Sequence, residues 1–483
     1  MKRAAALGLV CVLMTACGTQ VDDGTRRKLA AAQLNGGGGS TGGGGGSTTG
    51  TTAVPTDAPI TGGGSTTGAI TPGTTGTTGT VAGTGTTGTT TTTTGPVAPA
   101  PAGGNGGATD VGVTASSILL GHVSDLSGPQ PGLFQTAVNG TNAYIAYVNS
   151  QGGLFGRQLK ISVADSQTSC EGDRTGHAGL VSKVFAFAGS FSLYDSCGAT
   201  VLKQHPEVPD AHLAVTPEAN ALKSNYSVNP VGTKLNNGYF AWAAKKFGPD
   251  VVQHAGFMYA NLPAVTNVAA LQKRAAESVG WKFTYERAVG PTETDFTADI
   301  IQMKSRGVKM FLTLFNADEL SNFKPQADQQ SFKPTILAPL VYDQTFFKKL
   351  GGANLAEGIY GVNGATLFFS SADAKNVPEV ALFQKWYRTV SGGAAADTFA
   401  ADAWAETALL VKAMRAAGPK LTRKAVLAEL AKVTDFDANG FFARANPAAK
   451  QPGNCYVLWV IRGGQYQRVD TPANAFRCDG KAV

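Results

Sequence analysis

Short runs of apolar residues alternate with longer, helix-like stretches from about Thr114 to the end of the chain. The short runs are bounded by turn residues, as buried strands are, and they lie at 118–123, 159–165, 185–188, 255–259, 283–286 and 309–315. The longer stretches predict helices over 133–149, 171–186, 264–279 and 296–306. Repeated strand–helix units predict an α/β fold with parallel sheets that helices cover on both faces. Ligands of such sheets bind beyond the carboxyl ends of the strands, where the loop around Ser127 and the segment after Phe315 stand.

The first ~110 residues have a different composition, which sets them apart from the folded part of the chain. They hold a large share of the 61 glycines and almost no aromatic side chains. From about Asn35 to Gly107 nearly every residue is Gly, Thr, Ser, Pro or Ala, so the segment cannot bury enough apolar surface to fold. The sequence therefore predicts a disordered tether. One interpretation is that the tether holds the folded part away from a membrane. The other is that it has no role and is a neutral expansion of a simple repeat.

The N-terminus has the pattern of an export signal. Lys2 and Arg3 precede an apolar stretch, Ala4–Met14, that is too short to span a membrane. The sequence Met14-Thr15-Ala16-Cys17 resembles the bacterial lipobox, in which cleavage before the cysteine frees it for lipid modification. This predicts a signal peptide over 1–16 and a lipid anchor at Cys17. The alternative is an ordinary secretory peptide that happens to contain this cysteine.

Four cysteines remain after Cys11 in the signal peptide and Cys17, namely Cys170, Cys197, Cys455 and Cys478. An even number in an exported chain suggests disulfides, and four cysteines allow three pairings. The pairs Cys170–Cys197 and Cys455–Cys478 are favoured because each closes a local loop, worth ~3–3.5 kcal/mol. A zinc site is disfavoured, since the sequence has no Cys-x-x-Cys and its five histidines are scattered.

Charge and motifs argue against two other classes of function. The 40 basic and 33 acidic residues give a net charge of +7, but no basic run is long, so we predict no nucleic-acid surface. The folded part has no Gly-x-Ser-x-Gly, His-Glu-x-x-His or phosphate-loop motif, so we predict neither an enzyme nor a cofactor or metal requirement.

Two motifs enclose the first predicted helix. Leu126-Ser127-Gly128-Pro129 precedes this helix, and Val148-Asn149-Ser150-Gln151-Gly152-Gly153-Leu154-Phe155-Gly156-Arg157-Gln158-Leu159 follows it. Their order resembles the opening of the Leu/Ile/Val-binding family of periplasmic binding proteins. Further matches are Cys170 and Cys197 at a first-lobe disulfide, Val215-Thr216-Pro217, Thr294-Asp295-Phe296 and Ala356-Glu357-Gly358. The helix around Phe399 to Met414 matches the return to the first lobe. The resemblance covers about 115–470.

This resemblance implies two doubly wound α/β lobes that are joined by three crossing strands and close on a ligand between them. Carried onto this sequence, it places the first lobe at 111–232 and 365–433. The second lobe then consists of 233–364 and 434–483. The lipid-anchored tether would occupy 17–110.

The same resemblance implies ligand contacts in both lobes. In the first lobe these are Ser127, Gly128, Ser196, Gly198, Thr216, Glu218, Ala219 and Asn220. In the second lobe and at the return to the first they are Phe315, Tyr342, Asp343 and Phe399.

Several of these positions depart from the family pattern. Ala264 stands where the family has a ligand-facing aromatic residue. The acid that binds the ligand's ammonium group in the family would align near Tyr342, where this sequence has none, and the neighbouring Asp343 is its candidate replacement. Glu218 would repel a ligand carboxylate unless it faces solvent. Phe315 and Phe399 fit either a ligand wall or the core. The ligand is therefore expected to be an amino acid, a small amide, an aromatic acid or another small polar organic molecule.

The function implied is that of a monomeric extracytoplasmic lipoprotein that delivers its ligand to the permease and ATPase of an ABC transporter. The alternative is a binding protein of the same fold that reports ligand to a membrane receptor. Sequence does not separate the two, because the difference lies in the partner.

Overall fold

The computed structural model describes residues 101–230, 233–451 and 453–483, and its strands form two sheets. The predicted signal peptide, Cys17 and nearly all of the tether lie outside these residues. The strands of the first sheet are β1 (Ser117–Ser124), β2 (Gln158–Asp165), β3 (Ala186–Ala188), β4 (Asp210–Ala211) and β5 (Asn225–Tyr226). Those of the second sheet are β6 (Ala255–Ala260), β7 (Phe283–Val289), β8 (Met310–Thr313), β9 (Thr335–Leu337), β10 (Tyr360–Asn363), β11 (Val457–Arg462) and β12 (Gln465–Arg468).

Helices follow most of these strands along the chain. They are α1 (Gln135–Ser150), α2 (Cys170–Leu180), α3 (Asp195–Leu202), α4 (Pro217–Asn220), α5 (Gly238–Phe247), α6 (Pro249–Val252), α7 (Pro263–Glu277), α8 (Thr297–Ser305), α9 (Ala317–Gln329), α10 (Thr345–Lys349), α11 (Ser371–Asn376), α12 (Pro378–Val390), α13 (Thr398–Ala417) and α14 (Arg423–Leu430). Short 3-10 turns lie at Pro339–Val341, Ala353–Ala356 and Pro447–Ala449.

The first sheet has the order β2-β1-β3-β4-β5, and all its strands are parallel. In the second sheet, β7-β6-β8-β9-β10 are parallel, while β11 and β12 add an antiparallel hairpin beside β10. The hairpin turns at Gly463 and Gly464, which both have positive φ (56° and 72°). Glycine adopts this conformation without steric cost. The predicted α/β class with parallel sheets is confirmed, and the hairpin is an addition to it.

Helix α13 packs on the first sheet although it lies between β10 and β11 of the second sheet in sequence. Its backbone approaches α1 so closely that a Cβ on Gly140 would lie 2.2 Å from the carbonyl oxygen of Ala400. Beside this contact, the buried rings of Tyr144 and Trp404 meet edge to face at 4.8 Å. The chain therefore returns to the first sheet before it forms β11.

Three segments of the chain connect the two sheets, after β5, after β10 and before β11. The second and third pair directly, through an antiparallel bridge between Ala365 and Phe442 and a 2.9 Å hydrogen bond from Ala443 N to Gly364 O. The first segment lies beside them, because a Cβ on Gly364 would be 3.3 Å from Asn229 Nδ2. The three connections thus lie together.

Both disulfides that the sequence analysis favoured are present. The Cys170–Cys197 bond joins the start of α2 to α3, and the Cys455–Cys478 bond joins the residues before β11 to the C-terminal segment. In the part of the chain that the structure describes, each helix is too short or too polar to span a membrane.

Candidate functional site

Loops at the carboxyl ends of the two sheets meet in one apolar cluster, which we call the intersheet cluster. The first-sheet side contributes residues that follow β1, β3 and β4, and the second-sheet side contributes the end of β6 and the start of α7. Ala264 N donates a 3.3 Å hydrogen bond to Leu193 O inside it. The buried members are Phe134, Ala137, Phe191, Leu193, Leu213, Ala260, Leu262, Ala264 and Ala403, and the half-buried members are Leu133, Tyr194, Val215, Val265 and Phe399.

Three phenylalanines form the aromatic centre of the intersheet cluster. The ring of Phe134 lies 4.8 Å from both Phe191 and Phe399, and Phe191 lies 5.1 Å from Phe399. Phe134 and Phe191 are buried, whereas Phe399 at the start of α13 is half-buried. Such clustered rings add packing energy beyond the area that they bury. Phe399 is the ring that a molecule entering between the sheets could still contact.

Polar contacts flank the intersheet cluster and connect the same two sides. Gln130, in the loop after β1, donates from Nε2 to Pro291 O at 3.1 Å in the loop after β7. Asn267 on α7 donates from Nδ2 to Val215 O at 2.9 Å in the loop after β4. The two carboxyl edges are therefore in direct contact, and the arrangement is a closed one.

The Ser127 loop lies at the rim of this region and is bound to the end of β2. The Ser127 hydroxyl donates to Asp165 Oδ2 at 2.5 Å, and the backbone N–H groups of Leu126 and Ser127 donate to Oδ1. Burial alone would raise the pKa of Asp165, but these hydrogen bonds lower it below its usual value. Gly128 has φ of 94°, and a Cβ there would lie 2.2 Å from Gln167 O. The hydroxyl of Ser127 is thus already engaged within the protein.

Gly198 and Ser196 lie on α3 beside the first disulfide. Gly198 N donates to Asp173 Oδ2 at 2.5 Å, and a Cβ on this glycine would lie 2.3 Å from His177 Nδ1. The glycine is therefore needed for α3 to pack against α2. Ser196 is half-buried.

The Thr216 turn contributes backbone geometry more than side chains. Thr216 is the N-cap of α4 and accepts from Ala219 N, while Asp195 Oδ2 accepts from Val215 N at 2.8 Å. Glu218 is exposed, which favours the solvent-facing interpretation of this acid. Ala219 belongs to the core beneath the first sheet, and Asn220 is half-buried.

Phe315 and Tyr342 lie in the core of the second sheet's side and outside the intersheet cluster. Phe315 is 0% exposed, and its ring packs 5.1 Å from Phe296. Tyr342 is also 0% exposed and stacks on Phe369 at 4.7 Å. The structure therefore brings Phe399, but neither of these two rings, to the region between the sheets.

Asp343 and Asp397 lie where the loop after β9 meets the start of α13. Their backbones form an isolated bridge. The Asp343 carboxylate accepts from the Thr345 hydroxyl at 2.7 Å, and that of Asp397 accepts from the Thr136 hydroxyl at 2.8 Å. Both aspartates are half-buried. Through this bridge Asp343 lies beside Asp397, which precedes Phe399 of the intersheet cluster by two residues.

Sequence reasoning missed several residues that build this region, above all Phe134, Phe191, Gln130 and Asn267. Phe191 follows the third predicted strand, so the rule that sites form at the carboxyl ends of strands could have found it. Gln130 and Asn267 pair with residues far away in the chain, and no local pattern marks such contacts.

One serine–histidine pair on the first sheet bears on the question of catalysis. The Ser124 hydroxyl and His122 Nε2 are 2.6 Å apart, and both residues are 0% exposed. His122 Nδ1 faces the carbonyl oxygen of Ala188 at 2.9 Å, so it lacks the carboxylate partner of a catalytic triad. Burial lowers the pKa of His122 to about 4 and keeps the ring neutral. This pair serves the packing of β1 against β3.

The two α/β units face each other with the carboxyl edges of their sheets, and three connections join them. This arrangement defines a hinged binding protein. The chain belongs to the family described as "Periplasmic binding protein", which matches residues 117–465. Structural relatives agree in fold. A possible leucine/isoleucine/valine-binding protein from Rhodopirellula baltica SH 1 has a TM-score of 0.62 and 16% identity, covering 74% of this chain and 96% of that one.

Two further solved structures are similar to the chain over most of their length. A putative branched-chain amino acid ABC transporter from Rhodospirillum rubrum has a TM-score of 0.54 and 18% identity, covering 73% of this chain and 100% of that one. A fatty acid ABC transporter substrate-binding protein from Thermomonospora curvata has a TM-score of 0.61 and 18% identity, covering 80% and 96%. The chain is thus a member of the periplasmic binding proteins and has the type I periplasmic binding fold.

Proposed function

We propose that this protein captures a small organic molecule between its two lobes and delivers it to an ABC transporter. The observation that carries the proposal is the intersheet cluster, where two carboxyl edges close on one another at the position where α/β sheets bind ligands. The lobes are 111–232 with 365–433 and 233–364 with 434–483. The three adjacent connections act as the hinge.

The N-terminal sequence supports an extracytoplasmic, membrane-anchored form of this binding protein. Cleavage before Cys17 would leave a cysteine for lipid attachment, and the segment 17–110 would act as the tether. Two disulfides in the folded part fit an oxidising compartment outside the cytoplasm. The protein works as a monomer without cofactor or catalysis, and its protein partners are a permease and its ATPase.

A ligand screen with a matched pair of variants tests the binding function. Amino acids, amides, amines, alcohols and organic acids are screened by thermal shift, because a ligand that binds only the folded state raises the melting temperature. Phe399→Ala should weaken a hit by ~10–100-fold through lost apolar contact. Phe347→Ala should not, since Phe347 is a half-buried phenylalanine that lies outside the intersheet cluster.

Two results would contradict this proposal. One is a broad library in which no compound raises the melting temperature. The other is equal loss of affinity in the Phe347 and Phe399 variants, which would place the ligand elsewhere. Co-purification of the liganded protein with a permease supports transport, whereas co-purification with a receptor kinase supports the sensing alternative.

A further inference from the structure

The loops around the proposed ligand site carry no lysine or arginine, and their one histidine, His212, is buried and pairs with Asp210 at 2.7 Å. Besides the two connections after β5 and β10 that cross between the sheets, eight loops lead from a strand's carboxyl end towards the next α-helix, after β1, β2, β3, β4, β6, β7, β8 and β9. Their sequences contain no Lys or Arg, although the whole chain has a net charge of +7. The ranges are 125–134, 166–169, 189–194, 212–216, 261–262, 290–296, 314–316 and 338–344.

Acidic side chains are present at the same edges. Asp343 and Asp397 meet at one end of the region. Glu319 lies in the first turn of α9 beside Gln130, whose Nε2 is 3.4 Å from Glu319 Oε1. Among the ion pairs of residues 101–230, 233–451 and 453–483, none involves these three acids. Asp318, by contrast, pairs with Lys349 at 2.8 Å. Burial raises the pKa of Glu319 and of Asp397 to about 7, so these two acids carry only part of their negative charge at neutral pH. No basic side chain at these edges pairs with them.

The polar groups that would otherwise receive a carboxylate are already engaged. The Ser127 hydroxyl donates to Asp165, and the Thr216 side chain caps α4. An anion that is buried without a cation or a set of donors loses its hydration and gains nothing in return. The walls of the intersheet cluster, centred on Phe134, Phe191 and Phe399, instead match an apolar surface.

We infer that the ligand has an apolar body with an uncharged or cationic polar group, and that carboxylates and phosphates are excluded from the site. This inference rests on the proposed function and narrows it, because free amino acids carry a carboxylate. An anion between the lobes would meet the acids Asp343, Asp397 and Glu319 and no cation that could balance its charge, so its exclusion adds to the selectivity of the apolar walls.

Two series of probes that share a hydrocarbon and differ in charge test the inference. They are 2-phenylethylamine, 2-phenylethanol, phenylacetate and phenylalanine, and hexylamine, hexan-1-ol, hexanoate and norleucine. Affinity is measured by calorimetry on the full mature chain, with Phe399→Ala and Phe347→Ala as site and off-site variants. We expect the amine or the alcohol to bind at least ~10-fold more tightly than the carboxylate of the same series, a difference of ~1.4 kcal/mol.

The outcomes separate this inference from the proposed function. A carboxylate or zwitterion that binds as tightly as its alcohol, and loses affinity in Phe399→Ala, overturns the inference and leaves the binding function standing. If none of the eight probes binds, the inference is also overturned. The broad screen then decides the binding function separately.

Discussion

Replacing Phe315 by alanine separates a core residue from a ligand-contacting one. Phe315 is 0% exposed and packs against Phe296, Phe311 and Phe323, so its removal leaves a cavity that rigid neighbours fill only in part. Such a change costs ~3–5 kcal/mol in the free energy of unfolding. At ~2.1 cal/mol/K per residue, a folded part of roughly 370 residues has an unfolding entropy of about 0.8 kcal/mol/K. The melting temperature should therefore fall by ~4–6 °C.

The assay is scanning calorimetry of Phe315→Ala beside Phe399→Ala, followed by titration of a ligand found in the screen. Phe399 is half-buried, so its variant should melt within ~2 °C of the wild type, yet lose affinity. The Phe315 variant should show the reverse pattern, with a lower melting temperature and unchanged affinity. A Phe315 variant that keeps its melting temperature but no longer binds would refute the assignment of this ring to the core.

Two further predictions concern groups that the site does not use. Arg157 is 0% exposed and donates to the carbonyl oxygens of four residues, Thr114, Pro419, Asn105 and Gly107. Calorimetry of Arg157→Met should therefore show a free energy of unfolding lower by ~3–5 kcal/mol, a larger loss than in Arg157→Lys. Equal stability of the Met variant and the wild type would contradict this. Burial raises the pKa of Glu406 from 4.5 to about 8, so its contribution to stability is complete below pH 4.5 and is lost as pH rises through 8. Between pH 5 and 8, the melting temperature of Glu406→Gln should fall less than that of the wild type. An equal dependence of the two melting temperatures on pH would contradict the raised pKa of Glu406.

Much of the fold could be predicted from the sequence, because its strands and helices have strong periodic signals. The predicted helices at 133–149 and 296–306 correspond to α1 and α8 within two residues at each end. The helix predicted over 171–186 ends earlier, at Leu180, because Val184 and Phe185 are buried on the way into β3. The strand predicted to Phe315 ends at Thr313, whose hydroxyl accepts from Phe315 N and turns the chain out of the sheet. Apolar runs show burial but do not show where the backbone leaves a regular element.

The candidate site was harder to predict, because its composition depends on which side chains meet across the sheets. Phe315 and Phe399 are equally apolar and both lie near the expected site, yet only Phe399 belongs to the intersheet cluster. Contacts such as Gln130 to Pro291 join residues 161 positions apart. Family motifs locate the loops, but the direction of each side chain follows from packing that no local pattern encodes.

The apolar nature of the intersheet cluster also constrains the affinity of the protein. Its walls already touch one another, through the rings around Phe134 and the hydrogen bond from Ala264 to Leu193, so an entering molecule must replace these contacts before it gains any of its own. A closed form that is stable in itself lowers the apparent affinity by the fraction of molecules that are open to ligand. Weakening the polar contact of Asn267 with Val215, which does not belong to the aromatic centre, should therefore raise the open fraction and the rate of ligand entry. The same contact would then determine how readily the ligand is released to a transporter.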